Sequence, residues 1–288
     1  MKLALGTVQF GQDYGIANSN GQTSRSEVDK ILELARLKGI KTLDTAISYG
    51  ESETILGQIG VQDFNIITKL PELPKDCNNI EKWMAHQLHQ SLNRLGVSSL
   101  YGFLLHRPQQ LLTSENHKIW ATLLQFKEQG LVKEIGYSIY GPNELDQLWS
   151  YFKPDIIQAP YNIFDRRMVT SGWFKRLQNA GVKTYGRSVF LQGLLLFNPE
   201  NRPKPFNQWA NHWQLWDRWL KQNQLTPLQA ALAFAVADSH VNKVIVGVDH
   251  CVQLKEILNA ANTAIKDFPE ELSITDAKLI NPSNWEHL

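Results

Sequence analysis

Eight short runs of β-branched and apolar residues recur along this chain, and the stretches between them return to apolar positions at helical spacing. The runs are LALGT (3–7), KTLDTA (41–46), NIITKL (65–70), LYGFLLH (100–106), VKEIGYSI (132–139), DIIQAP (155–160), VKTYGRS (182–188) and KVIVGV (243–248). Between them Val28, Ile31, Leu32, Ala35 and Leu37 fall on one apolar stripe, and Trp83, Leu88, Leu92 and Leu95 on another. Each stretch closes on a glycine, Gly39 or Gly96, as a helix C-terminus does. Pro142, and Thr226 followed by Pro227, mark two later helix starts. Trp209, Trp213, Trp216 and Trp219, three or four apart, form a helical stripe that reads as core, with an outward-facing partner surface as the alternative. Residues 197–213 are long, polar and proline-rich enough for an irregular loop inside the pattern. Eight parallel strands, each followed by a helix, predict a TIM (β/α)8 barrel, a single domain over residues 1–288. A doubly wound open sheet is the other fold with this rhythm, but the first turn lacks Gly-x-Gly-x-x-Gly.

Composition narrows the partners. With 288 residues, 43% of them hydrophobic, the chain can bury a barrel-sized core. Lys and Arg total 29 against 28 for Asp and Glu, so no net field draws it to nucleic acid or a membrane surface. No apolar run approaches the roughly 20 residues of a membrane span, and the start MKLALGTVQFGQ has no signal-peptide pattern. Cys77 and Cys251, far apart and in no paired motif, suit a reduced cytoplasmic protein.

In a barrel of this kind the active site forms at the C-terminal strand ends. There stand Thr7, Asp44, Lys69, His106, Ser138, Gln158, Arg187 and Gly247. The stretch LDTAISYGESE (43–53) adds Tyr49 just past the second strand. A free phenol titrates near 10, too high for an efficient proton donor near neutrality unless a cation stabilises the phenolate. Lys69 supplies that cation. Asp44 keeps Lys69 charged and oriented, because a lone ammonium in a barrel mouth gives up its proton readily. His106 offers a second hydrogen bond, to the phenol oxygen or to a substrate carbonyl. Taken singly, the four read as a turn residue, a packed ring, a solvated amine and a satisfied histidine. Together, on successive strand ends, they read as an acid site.

These segments and their order resemble the aldo-keto reductase family: LDTAISYGESE its Asp and Tyr segment, IITKL its lysine, FLLHRP its histidine. Matching segments continue through GYSIY, QAPYNIFDRR, QGLLL and VIVGVDHCVQLKEIL, so the resemblance covers nearly the whole chain. It implies reversible hydride transfer between a nicotinamide dinucleotide and a carbonyl, with Asp44, Tyr49, Lys69 and His106 catalytic. By the same resemblance Ser138 and Gln158 hold the carboxamide, and the backbone near Gly193 and Leu194 approaches the pyrophosphate. Gly6, Thr7, Asp44, Arg187, Gly247, Asp249, Gln253 and Glu256 complete the implied cofactor contacts. The chain departs from the family at four places: Ile139 where Asn is frequent, Arg187 where an aromatic ring usually stacks on the nicotinamide, Asp249 where a basic residue commonly binds the 2′-phosphate, and Ile257 after Glu256 where Asn is frequent. Tyr14 is a candidate pocket wall.

The first functional expectation is thus an NADP(H)-dependent reductase of a small aldehyde or ketone, sugar-like substrates included, with NAD(H) close behind. The second is a nicotinamide-binding, redox-sensing subunit of a larger assembly. A metal-dependent hydrolase ranks last and no metal is expected, since His86 and His89 lie inside a helical stretch and His117 stands alone. The physiological substrate, the direction of reaction and the oligomeric state are left open.

Overall fold

In the computed structural model, which describes residues 1–265 and 267–288, the eight runs become eight strands. They are β1 (Leu3–Gly6), β2 (Thr42–Asp44), β3 (Asn65–Leu70), β4 (Leu100–Leu105), β5 (Val132–Ser138), β6 (Ile156–Pro160), β7 (Lys183–Arg187) and β8 (Lys243–Gly247). Neighbours pair in parallel in sequence order, and β1 pairs with both β2 and β8, so the sheet closes into a TIM barrel. Helices cover its outer face. Arg25–Leu37 turns Val28, Ile31, Leu32 and Ala35 inward, and Ile80–Leu95 does the same with Met84, Leu88, Leu92 and Leu95. Their ends follow from local chemistry: the Asn79 side chain accepts the Lys82 N–H at 2.8 Å, and Gly96 closes the same helix in the left-handed conformation. At the start of Pro227–Ala237 the Thr226 hydroxyl accepts the Gln229 N–H at 3.2 Å, and the Gln229 side chain accepts the Thr226 N–H at 2.9 Å.

Inside the barrel Ala4, Ile67, Leu104, Ile156, Tyr185 and Ile245 form one apolar cluster. Side chains alternate faces along a strand, so the residue two positions on from each lies on the same face, one pleat nearer the C-terminal mouth. Those residues are Gly6, Lys69, His106, Gln158, Arg187 and Gly247. Asp44, level with Gly6, and Ser138, level with Gln158, complete the ring. The apolar cluster is therefore a plug, and the polar ring is the floor of a site above it.

Two expectations change, and the tryptophan stripe resolves to the core. Leu37 is 77% exposed, because it stands nine residues after Val28, roughly half a turn round the helix from the buried stripe. Residues 197–213 are not an irregular loop: they form 3-10 turns at Pro199–Asn201 and Lys204–Trp209 and then enter the helix Ala210–Asn223. In that helix Trp213, Trp216 and Trp219 are buried, and the Trp213 Nε1–H donates to the Phe206 carbonyl at 2.9 Å. The tryptophan stripe is core, with half-buried Trp209 packed at its edge. Among the described residues no helix is long and apolar enough to cross a membrane.

Candidate active site

Tyr49 is set at the mouth by a contact between two loops that leaves no room for side chains. The turn after β2 packs on the short helical segment Val8–Gly11 that follows β1. A Cβ on Gly11 would lie 1.8 Å from the Tyr49 carbonyl oxygen. One on Gly50, whose φ is +52°, would lie 2.2 Å from the Gly11 carbonyl oxygen. The Glu51 N–H donates to that same Gly11 oxygen at 3.3 Å, and the Ser52 hydroxyl reaches both the Thr7 carbonyl and the Thr7 hydroxyl at 2.9 Å.

Behind Tyr49 lies a buried ion pair. Lys69 Nζ donates to Asp44 Oδ1 at 2.9 Å, Asp44 Oδ2 at 2.8 Å and the Thr45 carbonyl at 2.8 Å. Only 1% of its side chain is exposed. Burial alone would strip the ammonium of its proton, but the Asp44 carboxylate, with Tyr49 close by, outweighs burial and raises Lys69 above the ordinary lysine value. Gln158 Nε2 also donates to Asp44 Oδ1, and the Thr7 hydroxyl donates to the Asp44 carbonyl at 3.1 Å. With its protons on Asp44 and Thr45, the Lys69 ammonium still lies close to Tyr49: Nζ is 5.0 Å from the centre of the Tyr49 ring.

His106 meets Tyr49 edge to face at 5.8 Å, and its Nδ1 lies 3.2 Å from the Ser48 hydroxyl. Burial, then the charges of Lys69, Arg187 and Arg107, pushes the imidazole down to about 3. It is therefore neutral at physiological pH. A neutral ring carries one N–H; the Ser48 hydroxyl can donate to Nδ1 or accept from it, and where it donates the ring proton sits on Nε2.

A cavity of about 660 Å³ runs from Tyr49 and His106 past Ser138 and Arg187 to Asp249 and Gln253. Gly6, Thr7, Gly193, Gly247 and Glu256 also line it, as does Tyr14, whose hydroxyl accepts the Gln192 side-chain N–H at 3.2 Å. Gln158 lies below the cavity, completely buried, with Oε1 lacking a partner among the described residues. Leu194 turns into the core while the backbone beside it, at Gly193, faces the cavity. Arg187 is held in place: Nε donates to Ser138 Oγ at 3.3 Å and Nη2 to the Ile139 carbonyl at 2.8 Å. At the far end the Asp249 carboxyl is pushed up by burial and by Asp13, and its Oδ1 is buried without a hydrogen-bond partner among the described residues. His250 is engaged elsewhere, 3.0 Å from Glu27.

Ser48, Gln9, Arg107 and Tyr140 also line the cavity and were not singled out from the sequence. Ser48, Arg107 and Tyr140 stand within two positions of the chosen Tyr49, His106 and Ser138, so reading two positions to either side of each finds them. Gln9, two positions past Thr7, has the same signal, but its role has none: an added Cβ on Gly247 would come within 2.6 Å of its amide, a contact across 238 residues of chain that only closure of the barrel creates. The arrangement suits a long, polar, dinucleotide-sized ligand. The partnerless Gln158 acceptor and the Ser138 hydroxyl lie toward the Tyr49 end, and the unpaired Asp249 oxygen lies at the other.

The family model described as "Aldo/keto reductase family" matches residues 2–279. The L-glyceraldehyde 3-phosphate reductase of Escherichia coli O157:H7 is 26% identical, the alignment covering 90% of this chain and 85% of that protein. The NADH-specific methylglyoxal reductase of Escherichia coli K12 is 24% identical, with 92% and 91% covered. Among solved structures, a Bacillus halodurans aldo-keto reductase in its holo form matches with a TM-score of 0.73 at 20% identity, over 94% of this chain and 89% of that one. At that identity the likeness speaks for the fold.

Proposed function

The chain belongs to the aldo-keto reductase family, oxidoreductases that reduce carbonyl compounds with NADPH or NADH, and from that premise we propose that Tyr49 is its general acid. The substrate is a small aldehyde or ketone. One observation carries the reading: a buried Lys69–Asp44 pair stands 5.0 Å from the Tyr49 ring, beside a histidine kept neutral.

Bound in the cavity, the reduced nicotinamide supplies a hydride for the carbonyl carbon. The chain's own residues handle the oxygen. As negative charge grows there, the Tyr49 hydroxyl gives up its proton and His106 Nε2–H donates a hydrogen bond that fixes the oxygen beside it. The charge of Lys69 offsets the phenolate left on Tyr49, and Asp44 keeps Lys69 charged and in place. Ser138 holds the carboxamide at the cavity wall, Gln158 below it fixes Asp44, and the backbone at Gly193 faces the pyrophosphate. The Arg187 charge disfavours an oxidised, cationic nicotinamide relative to the reduced one, which weakens retention of the oxidised cofactor. NADP(H) and NAD(H) both enter, with weak discrimination for the 2′-phosphate, since Asp249 replaces the expected cation. The thiols Cys77 and Cys251 are unpaired, which supports a reducing compartment such as the cytoplasm.

The test is a panel of carbonyl compounds and alcohols offered with each cofactor, followed by the absorbance of the reduced nicotinamide. Turnover that survives intact in Tyr49→Phe would remove Tyr49 from the mechanism. No turnover with any compound would count against the enzyme and favour the redox-sensing subunit, whose proposed apolar docking stripe is however buried in the core.

A further inference from the structure

Two guanidinium groups share one aromatic ring at the catalytic end of the cavity. Arg187 Cζ lies 4.9 Å and Arg107 Cζ 5.2 Å from the centre of the Tyr140 ring. Both charges are close enough to His106 to help hold it neutral. Neither arginine has a carboxylate within ion-pair distance among the described residues.

The nearby carboxylate is already committed. Glu144 accepts the Tyr140 and Gly141 N–H groups through Oε1 and the Gln109 side-chain N–H through Oε2. Lys69 is neutralised by Asp44, and Arg167 by Asp165. Arg187 spends three of its N–H groups on Ser138, Ser188 and the Ile139 carbonyl, which fixes the plane of the guanidinium and leaves two N–H groups over. The exposed Arg107 guanidinium makes no hydrogen bond to the protein among the described residues, so its whole fork is available. Two like charges gathered over one ring beside a carbonyl-reducing centre leave a position for an anion that the protein itself does not fill.

We propose that Arg107 and Arg187 bind an oxyanion group, carboxylate or phosphate, on a substrate whose carbonyl sits at Tyr49 and His106. The substrate class is thus an anionic aldehyde or ketone. This rests on the reductase reading of the same site. A guanidinium fork matches either oxyanion with paired hydrogen bonds. Arg187 is rigid and sets position, whereas Arg107 is free to close on the anion once it arrives.

Matched pairs test the inference: 4-oxobutanoate against butanal for the carboxylate, and glyceraldehyde 3-phosphate against glyceraldehyde for the phosphate. In at least one pair the anionic member should have a kcat/KM higher by about tenfold or more, the scale of one charge-assisted contact. That ratio should fall toward one in Arg107→Gln, stay high in Arg107→Lys, and shrink as salt is raised. The pair that shows the preference tells carboxylate from phosphate. Equal or better use of the neutral member in both pairs, by a parent that reduces it readily, overturns the anion site and leaves the reductase standing. Failure to turn over any carbonyl with either cofactor would sink the reductase reading, and the inference with it.

Discussion

Ser48 Oγ lies 3.2 Å from Nδ1 of His106, and a hydroxyl that donates there leaves the proton of a neutral imidazole on Nε2. Because burial and three neighbouring cations push His106 down to about 3, the ring should stay uncharged through the whole range in which the enzyme works. An unfolded histidine titrates near 6.5. Between the two values the unfolded chain binds the extra proton, so the contribution to stability is complete above about 6.5 and is lost as pH falls toward about 3. Nitrogen NMR of the imidazole should report the neutral tautomer protonated on Nε2 at pH 5. In His106→Gln the fall of the denaturation midpoint on acidification should be shallower. A ring that titrates near 6 contradicts the assignment.

Tyr49→Phe should lower the rate of carbonyl reduction by about 10²- to 10⁴-fold, the usual contribution of a general acid. Cofactor affinity should hardly move, because one oxygen leaves the site and nothing else shifts. Single-turnover rates and cofactor titration, measured on the same preparation, separate the two effects. A variant within about threefold of the parent would place the proton donor elsewhere.

Lys69→Met should be slow for a different reason and less stable as well. It leaves the phenol in place but removes the charge that offsets the phenolate, so the pH dependence of the residual rate should differ from that of the parent. It also strands the Asp44 carboxylate, 7% exposed, without its partner. Breaking a buried pair this way costs about 3–5 kcal/mol. Adding Asp44→Asn should recover part of the stability and none of the rate. An unchanged pH profile in the single variant would show that Lys69 does not act on Tyr49.

Asp249→Arg should shift cofactor preference toward NADPH by roughly tenfold or more, equivalent to about 1.4 kcal/mol, by replacing a repelling carboxylate with a phosphate partner. The parent should discriminate weakly between the two reduced cofactors. Quenching of tryptophan fluorescence by NADH and NADPH measures both. A parent that prefers NADPH a hundredfold, with a variant that gains nothing, would put the phosphate site elsewhere than Asp249.

Gly11→Ala should impair the enzyme although residue 11 touches no substrate. Its Cβ would need the space of the Tyr49 carbonyl, 1.8 Å away, so the loop that carries the phenol must move. Overpacking of this kind costs about 1–3 kcal/mol, and the displaced Tyr49 should lower kcat more than it changes cofactor binding. A fully active Gly11→Ala enzyme would mean that the loop contact does not position Tyr49.

The eight strands, their order and the polar ring at their ends were legible in the sequence because each rests on local information. A period of two sends every second side chain of a strand into the barrel, so Lys69, His106, Gln158 and Arg187 follow from Ile67, Leu104, Ile156 and Tyr185 by counting. The capped helix starts at Thr226 and the glycine stop at Gly96 are local in the same sense. What folding decided is non-local. The tryptophan stripe 209–219 looks the same whether it meets a partner or a core, and only the packing of Trp213, Trp216 and Trp219 against the rest of the chain assigns it. Residues 197–213 read as loop because their proline and polar content hides turns that are held by contacts made elsewhere. Gln158 reads as a cavity residue, yet its amide is buried below the cavity and donates to Asp44, a contact across 114 residues of chain that only the closed barrel creates. The pairing of Arg107 with Arg187 over Tyr140 joins three strand ends that are up to 80 residues apart in the chain, and no spacing announces it: closure of the sheet brings them to one mouth.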